Sequence, residues 1–495
     1  MSSFTLIPKR GLMPASMPAP ISALSSATLA LLLALAGCAD MSGVRPLQAK
    51  SIEAATLGLS ASVPTETLAP QWWQALGDSQ LDQLMNTALA SNPNLKLAQT
   101  RLTKAQAALG LANSATLPQL TGSLDVARQR YTANGMIPPP LAGTVWSSGT
   151  LQLNAGWELD FFGKYQAALD AAIGSAKALE ADTQAAHNLL ASQITRTYLH
   201  WARLNDQQRV AERSLAQREE SLKLVRERFN AGLDTKLELR QSEGGLPEAR
   251  QQIEALQEQM TLARQALAAM AGSPALAQTM KAPSLAALKP LSSPASLPAN
   301  LLGLRPDVAA ARWRVEAAGK DVVNAKAQFY PNINLVAFAG LSSIGLDRLF
   351  RSKSEQMGIA PAVRLPIFDG GRLRANLSAK KADLDAAIES YNATVIEAVH
   401  ETTDQLASIQ SIQRQRAEQR QAQASAESAY DIALQRYKAG LTPYLNVLAT
   451  ETNVLAQRRQ AIDLSLREQD TQVALVKALG GGAQVPAAEA SVASR

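Results

Sequence analysis

Residues 436–448 read RYKAGLTPYLNVL and decide the fold, because they end one helix, begin another and have an echo earlier in the chain. The echo is RFNAGLDTKLEL at residues 228–239. Gly440 and Gly232 each follow an apolar-periodic run, where a helix commonly ends on a glycine with a left-handed backbone. Thr442-Pro443 is then read as N-cap and first helical residue. The numbers of the two glycines differ by 440 − 232 = 208, which predicts one unit written twice, with Gly232 and Gly440 as helix hinges.

Other markers recur in the same order. Pro93 and Pro306 each open a predicted helix, and their numbers differ by 306 − 93 = 213. Phe162 and Phe368 mark the next shared junction, with a difference of 368 − 162 = 206. The small drift places insertions and deletions in loops, where they are tolerated. The chain is predicted to begin with a lipoprotein signal peptide at 1–37, followed by a lipidated tether and the start of an equatorial region at 38–90. The first repeat covers 91–281 and the second covers 299–480, with a linker at 282–298 between them. A disordered tail is predicted at 481–495.

The composition favours long helices over a thick globular core. Aromatic residues make up only 4% of the 495 residues, and alanine, leucine and glutamine are abundant. The formal charge is +6, or 6 − 2 = +4 without Lys9 and Arg10 of the predicted signal, and both signs are mixed along the helices. No basic stripe with interleaved aromatics appears, so the charge pattern does not indicate nucleic-acid binding.

The N-terminus has the pattern of a secretory signal. Lys9 and Arg10 supply a basic region, and residues 24–36 supply an apolar stretch too short to span a bilayer. It ends in Leu-Ala-Gly-Cys, which resembles a bacterial lipoprotein cleavage box, and Cys38 is the only cysteine. We therefore expect Cys38 to carry covalent lipid. Such an anchor would be stable, because more than one acyl chain holds the chain in the membrane. An incidental buried thiol is the alternative.

Each half also contains segments with a two-residue period. Apolar and polar residues alternate over 119–127 and 151–160 in the first half, and over 332–335 and 356–367 in the second. About ten residues suffice for a tilted strand to cross a bilayer, so we predict four transmembrane strands with one face toward lipid and one toward water.

Four strands cannot close a barrel, and open edges are not tolerated in hydrocarbon. Several copies must therefore pool their strands, 8 from a dimer or 12 from a trimer. A soluble β-sandwich is the alternative reading of the alternation. In the mature chain no stretch of 18 consecutive apolar residues occurs, so no transmembrane helix is expected.

Long helices follow each predicted hairpin. The first should run over 164–203, turn near 204–206 and return to Phe229, and the second should run from Arg372, turn near 411–415 and return to Tyr437. Leucines at seven-residue spacing indicate coiled-coil seams. The sequence GGLP at residues 244–247 is expected to kink or restart the helix after the first hinge, because proline lacks an amide hydrogen.

Taken together, these residues resemble the outer-membrane efflux family of TolC-like outer-membrane factors, and within it the NodT/OprM-like lipoproteins of RND-type tripartite pumps. The stretches that carry the resemblance span most of 38–480 and are Trp72-Trp73, Asn92-Pro93, Leu304-Arg305-Pro306-Asp307-Val308, Phe329-Tyr330-Pro331, residues 365–373 (LPIFDGGRL) and the two hinge segments.

The resemblance implies an α+β membrane protein. Three chains would form a 12-stranded β-barrel from four strands each, and tandem-duplicated helices would form a coiled-coil barrel with an equatorial belt made by the tether region and the segments after Gly232 and Gly440. It implies a passive duct for drugs or other small toxic compounds, a periplasmic adaptor of the membrane fusion type and an inner-membrane RND transporter as partners, and no cofactor beyond the lipid on Cys38. It also implies a polar gate on inner helices near the periplasmic end. The matching region makes Asp404 and Gln405 the candidate gate residues, with hairpin tips near 205–208 and 411–415.

Three functions are alternatives to an efflux duct on the residue pattern: an enzyme, a structural tether and a protein secretion duct. His187, His200 and His400 all fall on predicted helices, and no metal-ligand spacing, phosphate loop or nucleophile elbow occurs, so an enzyme or a metal site is not expected. A coiled-coil lipoprotein tethering the membrane to the cell wall would explain Cys38 but not the strands. A type I protein secretion duct shares the architecture, and the lipoprotein box favours drug efflux over it.

Overall fold

The computed structural model describes residues 41–52, 69–291 and 301–483. Contacts between Cα atoms divide the chain into two compact units. A sheet unit contains Pro118–Lys164 and Asn324–Ala379, and a helical unit contains Pro46–Leu117, Tyr165–Val323 and the chain from Lys380 onward. Cys38, residues 292–298 of the predicted linker and residues 484–495 of the predicted tail lie outside the described residues.

The described elements are helices interrupted by two pairs of strands. A short 3-10 helix at Trp72–Leu76 comes first. The remaining elements are, in chain order, α1 (Ser79–Ser91), α2 (Pro93–Ser114), β1 (Gln119–Arg130), β2 (Val145–Leu159), α3 (Lys164–Asn230), α4 (Lys236–Met270), α5 (Leu276–Thr279), a 3-10 turn (Leu285–Ala287), α6 (Leu301–Leu304), α7 (Pro306–Ala327), β3 (Asn332–Ile344), a 3-10 turn (Leu346–Arg348), β4 (Glu355–Arg364), α8 (Arg372–Lys438) and α9 (Tyr444–Ala478).

This order confirms that one unit is written twice. The series α2-β1-β2-α3-α4 recurs as α7-β3-β4-α8-α9. Corresponding helices have equal lengths: α2 and α7 have 22 residues each, α3 and α8 have 67, and α4 and α9 have 35. The first residues of α3 and α8, Lys164 and Arg372, have the same offset along the chain as the two hinge glycines.

Helix starts follow from local capping. The Asp78 carboxylate accepts from the backbone amides of Gln80 and Leu81 and caps α1. Asn92 caps α2 in the same way, with Pro93 as the first helical residue. Thr235 and Glu238 form a capping box at α4. At the equivalent position of the second repeat, Pro443 itself is the N-cap of α9, directly after the predicted cap.

The four strands form one antiparallel sheet in the order β1-β2-β3-β4. Each ladder keeps a constant register without a bulge, from Gln119↔Gly156 to Arg130↔Val145 in the first pair. The chain enters and leaves the sheet at one end, so both hairpin loops, 131–144 and 345–354, lie at the other end.

Two strand predictions are corrected by the register. β3 runs to Ile344, well past the predicted 332–335, because Val336 and Phe338 place apolar side chains on the same face as Asn332 and Asn334 and hide the alternation. Phe338 lies over Gly358 of β4, where an added Cβ would come within 2.7 Å of the ring. β4 ends at Arg364, so Leu365 and Ile367 follow the strand.

The predicted turns at 204–206 and 411–415 are wrong, because α3 and α8 are continuous over 67 residues, roughly 100 Å at ~1.5 Å per residue. Asn205 and Asp206 do not cap their own helix. Asn205 donates to the carbonyl of Pro283 at 2.8 Å, and Asp206 accepts from the amide of Leu285 at 3.0 Å. In α8 the side chain of Ile412 is fully buried, which holds that segment in the helix. Each long hairpin therefore turns at its hinge glycine.

The predicted break at 244–247 is also absent, since α4 runs from Lys236 to Met270 with Pro247 inside it. The Arg218 guanidinium of α3 donates to the carbonyl of Gly245 at 2.9 Å. Ser242 and Ala249 are buried on either side of the proline. Packing on both sides therefore outweighs the hydrogen bond that the proline removes.

The largest apolar core lies in the helical unit around Trp73, which is 1% exposed. It joins the 3-10 helix and α1 to the middle of α3 and to the second half of α4. Trp72 and Trp73 are both buried in this core. The second half of α4, in the segment after Gly232, shares this core with the tether region.

The glycines at 480–482 do not begin a disordered tail. Gly480 and Gly481 are buried, and both have positive φ. A Cβ at Gly480 would come within 2.2 Å of the Leu304 carbonyl oxygen, so the close packing there requires glycine.

Candidate functional site

The sheet has one apolar face that runs across all four strands. The registers place alternate residues side by side, so that Leu124 pairs with Leu151, and Leu151 with Leu341. The other large apolar members of this face are Leu120, Val126, Val145, Leu153, Trp157, Leu159, Ile333, Leu335, Met357, Ile359 and Val363. Leu124 is 62% exposed and Ile359 is 75% exposed in the single chain. A continuous exposed apolar face of this width suits contact with lipid.

The opposite face is polar and carries little charge. Its only charged side chains in the four strands are Asp125, Glu158 and Arg364. Amides and hydroxyls bond across the strands, with Gln356 donating to Gln152 at 2.8 Å and the hydroxyls of Thr150 and Ser342 3.2 Å apart. Such a surface can line a water-filled passage.

The two hinge turns meet in the helical unit. Gly232 and Gly440 have φ of 73° and 74°, which confirms the predicted left-handed C-caps. The amides of Leu233 and Leu441 donate to the carbonyls of Arg228 and Arg436, at 2.8 and 2.9 Å. We call the two turns, residues 231–235 and 439–443, with the helix ends beside them, the turn end.

A buried carboxylate joins the two turns. Asp234 of the first turn accepts from the hydroxyl of Tyr437 and, at 3.2 Å, from Nε of Arg228. The Arg228 guanidinium also lies 4.8 Å from the centroid of the Tyr437 ring. Burial and the Asp234 carboxylate raise the pKa of Tyr437, so this hydroxyl remains a donor at neutral pH. The sequence did not predict this contact. When the two repeats are aligned, Asp234 corresponds to Thr442 and is the one charged difference between the turns.

Leucines stand exposed at both turns. Leu233 and Leu237 are 66% and 62% exposed, and their counterparts in the second repeat, Leu441 and Leu445, are 68% and 59% exposed. Exposed large apolar side chains repeated at one end of a helical body are typical of a protein contact.

The predicted gate residues lie far from the turn end. Asp404 is exposed on α8, with its carboxylate 3.5 Å from Nε2 of His400, and Gln405 is half-buried. The difference in number from Gly440 is 440 − 404 = 36, which corresponds to roughly 54 Å along a helix. The hairpin tips that suggested this region are mid-helix, so the structure separates the candidate gate from the place where the helices turn.

Arg305 contacts α8 at Glu401, close to Asp404 in the sequence. It is 5% exposed and donates to Glu401 at 2.8 Å, to the Ala478 carbonyl of α9 at 3.1 Å and to Asp307. Burial favours the neutral form of Glu401, but the hydrogen bonds and charges of Arg305 and Lys477 outweigh it and lower the pKa of Glu401. One guanidinium thus connects three helices, a role that the sequence did not suggest.

The described tether is fastened to α8. The amides of Gln48 and Ala49 donate to Asp385 at 3.1 and 3.0 Å. The side-chain amide of Asn392 accepts from Ile52 and donates to the carbonyl of Lys50, both at 2.9 Å.

Among the described residues no group of three His, Cys, Asp or Glu side chains could hold a metal ion. Within the same residues, no helix is both long and apolar enough to cross a membrane.

The family described as "Outer membrane efflux protein" matches residues 84–273 and 297–481. The chain is 33% identical over 465 residues to the multidrug resistance outer membrane protein MdtQ of Escherichia coli O6:H1, covering 91% of this chain and 96% of MdtQ. It is 33% identical over 420 residues to the pyoverdine export outer membrane protein OpmQ of Pseudomonas aeruginosa, covering 84% and 88%. The crystal structure of the outer membrane protein VceC of Vibrio cholerae matches with a TM-score of 0.79 and 34% identity, covering 83% of this chain and 98% of VceC.

Proposed function

Since this chain belongs to the outer membrane efflux protein family and is an outer-membrane efflux channel, we propose that three copies pool their sheets into one 12-stranded transmembrane barrel. The supporting observation is the pair of open sheet edges. β1 and β4 each pair on one side only, and both carry the exposed apolar face. Unpaired backbone groups are costly in hydrocarbon, so the edges must meet those of other copies.

The copy number is tested on the purified mature chain in mild detergent. We expect sedimentation equilibrium to give the mass of three chains, and gel electrophoresis in dodecyl sulfate to show an oligomer that dissociates only on boiling, because the closed barrel leaves no edge to open. A monomer that stays soluble without detergent would contradict the proposal.

The cargo and partners are inferred from the family. We propose that drugs or other small toxic compounds pass through the channel from the periplasm to the exterior. The channel itself is a passive duct and catalyses no reaction. A periplasmic adaptor would bind the turn end through the four exposed leucines, and an inner-membrane RND transporter would supply the energy. The repetition of these leucines supports a contact made once by each half of the chain.

The lipid anchor on Cys38 rests on the cleavage box, since Cys38 lies outside the described residues. The tether contacts with Asp385 and Asn392 support it indirectly. They fix the chain from Gln48 to Ile52, and the short stretch between Cys38 and Gln48 limits the reach of an anchor to about 35 Å.

We also propose that Asp404 and Gln405 form the gate. In a trimer, three Asp404 carboxylates on one level would repel one another and attract cations. Their exposure in the single chain leaves them available for such a ring.

Asp404→Ala is expected to make cells permeable to large antibiotics, seen as a several-fold lower inhibitory concentration of a glycopeptide antibiotic. Asp431→Ala is the matched control, because Asp431 is exposed farther along the same helix and points about half a turn away from Asp404. Unchanged permeability in the Asp404 variant would remove it from the gate, and leakage only in the Asp431 variant would move the constriction toward the turn end.

A further inference from the structure

The end of the sheet that carries both hairpin loops also carries a cluster of cations. They are Arg128, Arg130, Arg348, Arg351 and Lys353, which we call the loop-end basic cluster. The first two belong to β1, whose register with β2 has no bulge. Arg128 and Arg130 therefore fall on the same face as Leu124 and Val126, directly beyond the apolar band.

The second loop folds onto this same face. The side chains of Leu346 and Leu349 lie so close to Gly149 that an added Cβ would come within 2.9 and 3.1 Å of them. Gly149 pairs with Val126 and so belongs to the apolar face. The amide of Gly345 donates to the Ser147 carbonyl at 2.7 Å, and Ser147 pairs with Arg128. Arg128 and the start of the loop thus lie about 10 Å apart, two strand spacings.

Charge in this region is strongly unbalanced. Arg348 and Arg351 both lie 3.8 Å from the one carboxylate of Asp347, and their side chains are 60% and 68% exposed. Glu355, at the start of β4, is the other acid on this face, so five cations meet two anions. The acids of the first hairpin, Asp125 and Glu158, lie on the polar face.

Apolar side chains stand among the cations. Phe350 is 78% exposed and Leu346 is 43% exposed. Arginines and an exposed aromatic ring at the end of an apolar band are the residue types expected at the level where the lipid hydrocarbon meets the headgroups.

We propose that the loop-end basic cluster binds the phosphorylated headgroup of an outer-leaflet glycolipid of the lipid A type. The inference rests on the proposed function, because the loop end faces the exterior only if the sheet spans the outer membrane. Guanidinium groups fit phosphate with paired hydrogen bonds, and two phosphates on one headgroup match several arginines spread over about 10 Å. A zwitterionic phospholipid, with its own cation beside the phosphate, gains less from the same cluster.

The test uses the full-length purified channel in detergent, with bisphosphorylated lipid A and phosphatidylethanolamine as the two probes and native mass spectrometry as the readout. Wild type should retain lipid A in strong preference to phosphatidylethanolamine. Exchanging Arg128, Arg348 and Arg351 for glutamine should weaken lipid A binding about 100-fold, which at about 1.4 kcal/mol per tenfold is about 3 kcal/mol, or about 1 kcal/mol per cation. The matched control exchanges three exposed helical cations, Arg213, Lys223 and Arg414, for glutamine.

The control should bind as wild type does. An equal loss in both triple variants would show a non-specific charge effect and overturn the proposal, as would equal retention of the two lipids by wild type. Boiling-sensitive oligomers on gels report separately on the barrel. An intact oligomer without lipid A preference overturns the lipid site alone, and loss of the oligomer in wild type overturns the proposed function.

Discussion

Leu124→Arg should abolish insertion of the channel into the outer membrane and with it drug resistance. Leu124 lies at the centre of β1 on the apolar face and is 62% exposed. An arginine on the lipid face near the bilayer midplane costs about 2–4 kcal/mol, and a trimer would carry three of them. The measurement is the amount of boiling-sensitive oligomer in the membrane fraction, together with the inhibitory concentration of exported drugs.

The neighbouring residue provides the control. Ser123 lies on the polar face of the same strand, where a charged side chain can reach water. Ser123→Arg should therefore assemble as wild type does, although the passage of ions through the channel should change. Equal loss of both variants would contradict the assignment of the two faces.

The second large effect is expected at Arg305. Arg305→Ala leaves the Glu401 carboxylate without its closest cation and should destabilise the helical unit by about 2–4 kcal/mol. The loss is smaller than for a fully buried pair, because Glu401 is partly exposed and keeps Lys477 at 3.2 Å. Thermal unfolding followed by the helical circular dichroism signal at neutral pH should shift to lower temperature by roughly 3–6 °C, because a unit of this size unfolds with an entropy of about 0.7 kcal/mol/K.

Arg312→Ala, on the helix that directly follows Arg305, is the matched control, because its side chain is 51% exposed and pairs with Glu316, one helical turn on. Such surface pairs contribute about 0.3–0.5 kcal/mol. The difference between the variants should also depend on pH. The pKa of Glu401 is lowered on folding, so its contribution is present above its unfolded value of 4.5 and is lost as the pH falls through the folded pKa. If the difference in stability between the two variants is unchanged at lower pH, the effect of Arg305 comes from its hydrogen bonds to the Ala478 carbonyl and Asp307 and not from its pairing with Glu401.

Much of the fold could be predicted because its signals are local. The hinge glycines, the two-residue period of β1 and β2 and the recurrence of proline markers each depend on a few neighbouring residues, and the structure confirms them. The candidate site was harder to predict. The Asp234 contact with Tyr437 joins two residues that lie in different repeats, and neither residue type is unusual where it stands.

The sequence by itself determined the duplication, the two amphipathic hairpins and the places where the long helices end. Only the tertiary structure decided which apparent breaks are real. Asn205 and Asp206 stay helical because a distant segment satisfies their side chains, and Pro247 stays helical because its neighbours are buried. The physical reason is that a helix end needs its own polar groups satisfied locally, whereas packing from elsewhere in the chain can supply a few kcal/mol and override a weak local preference.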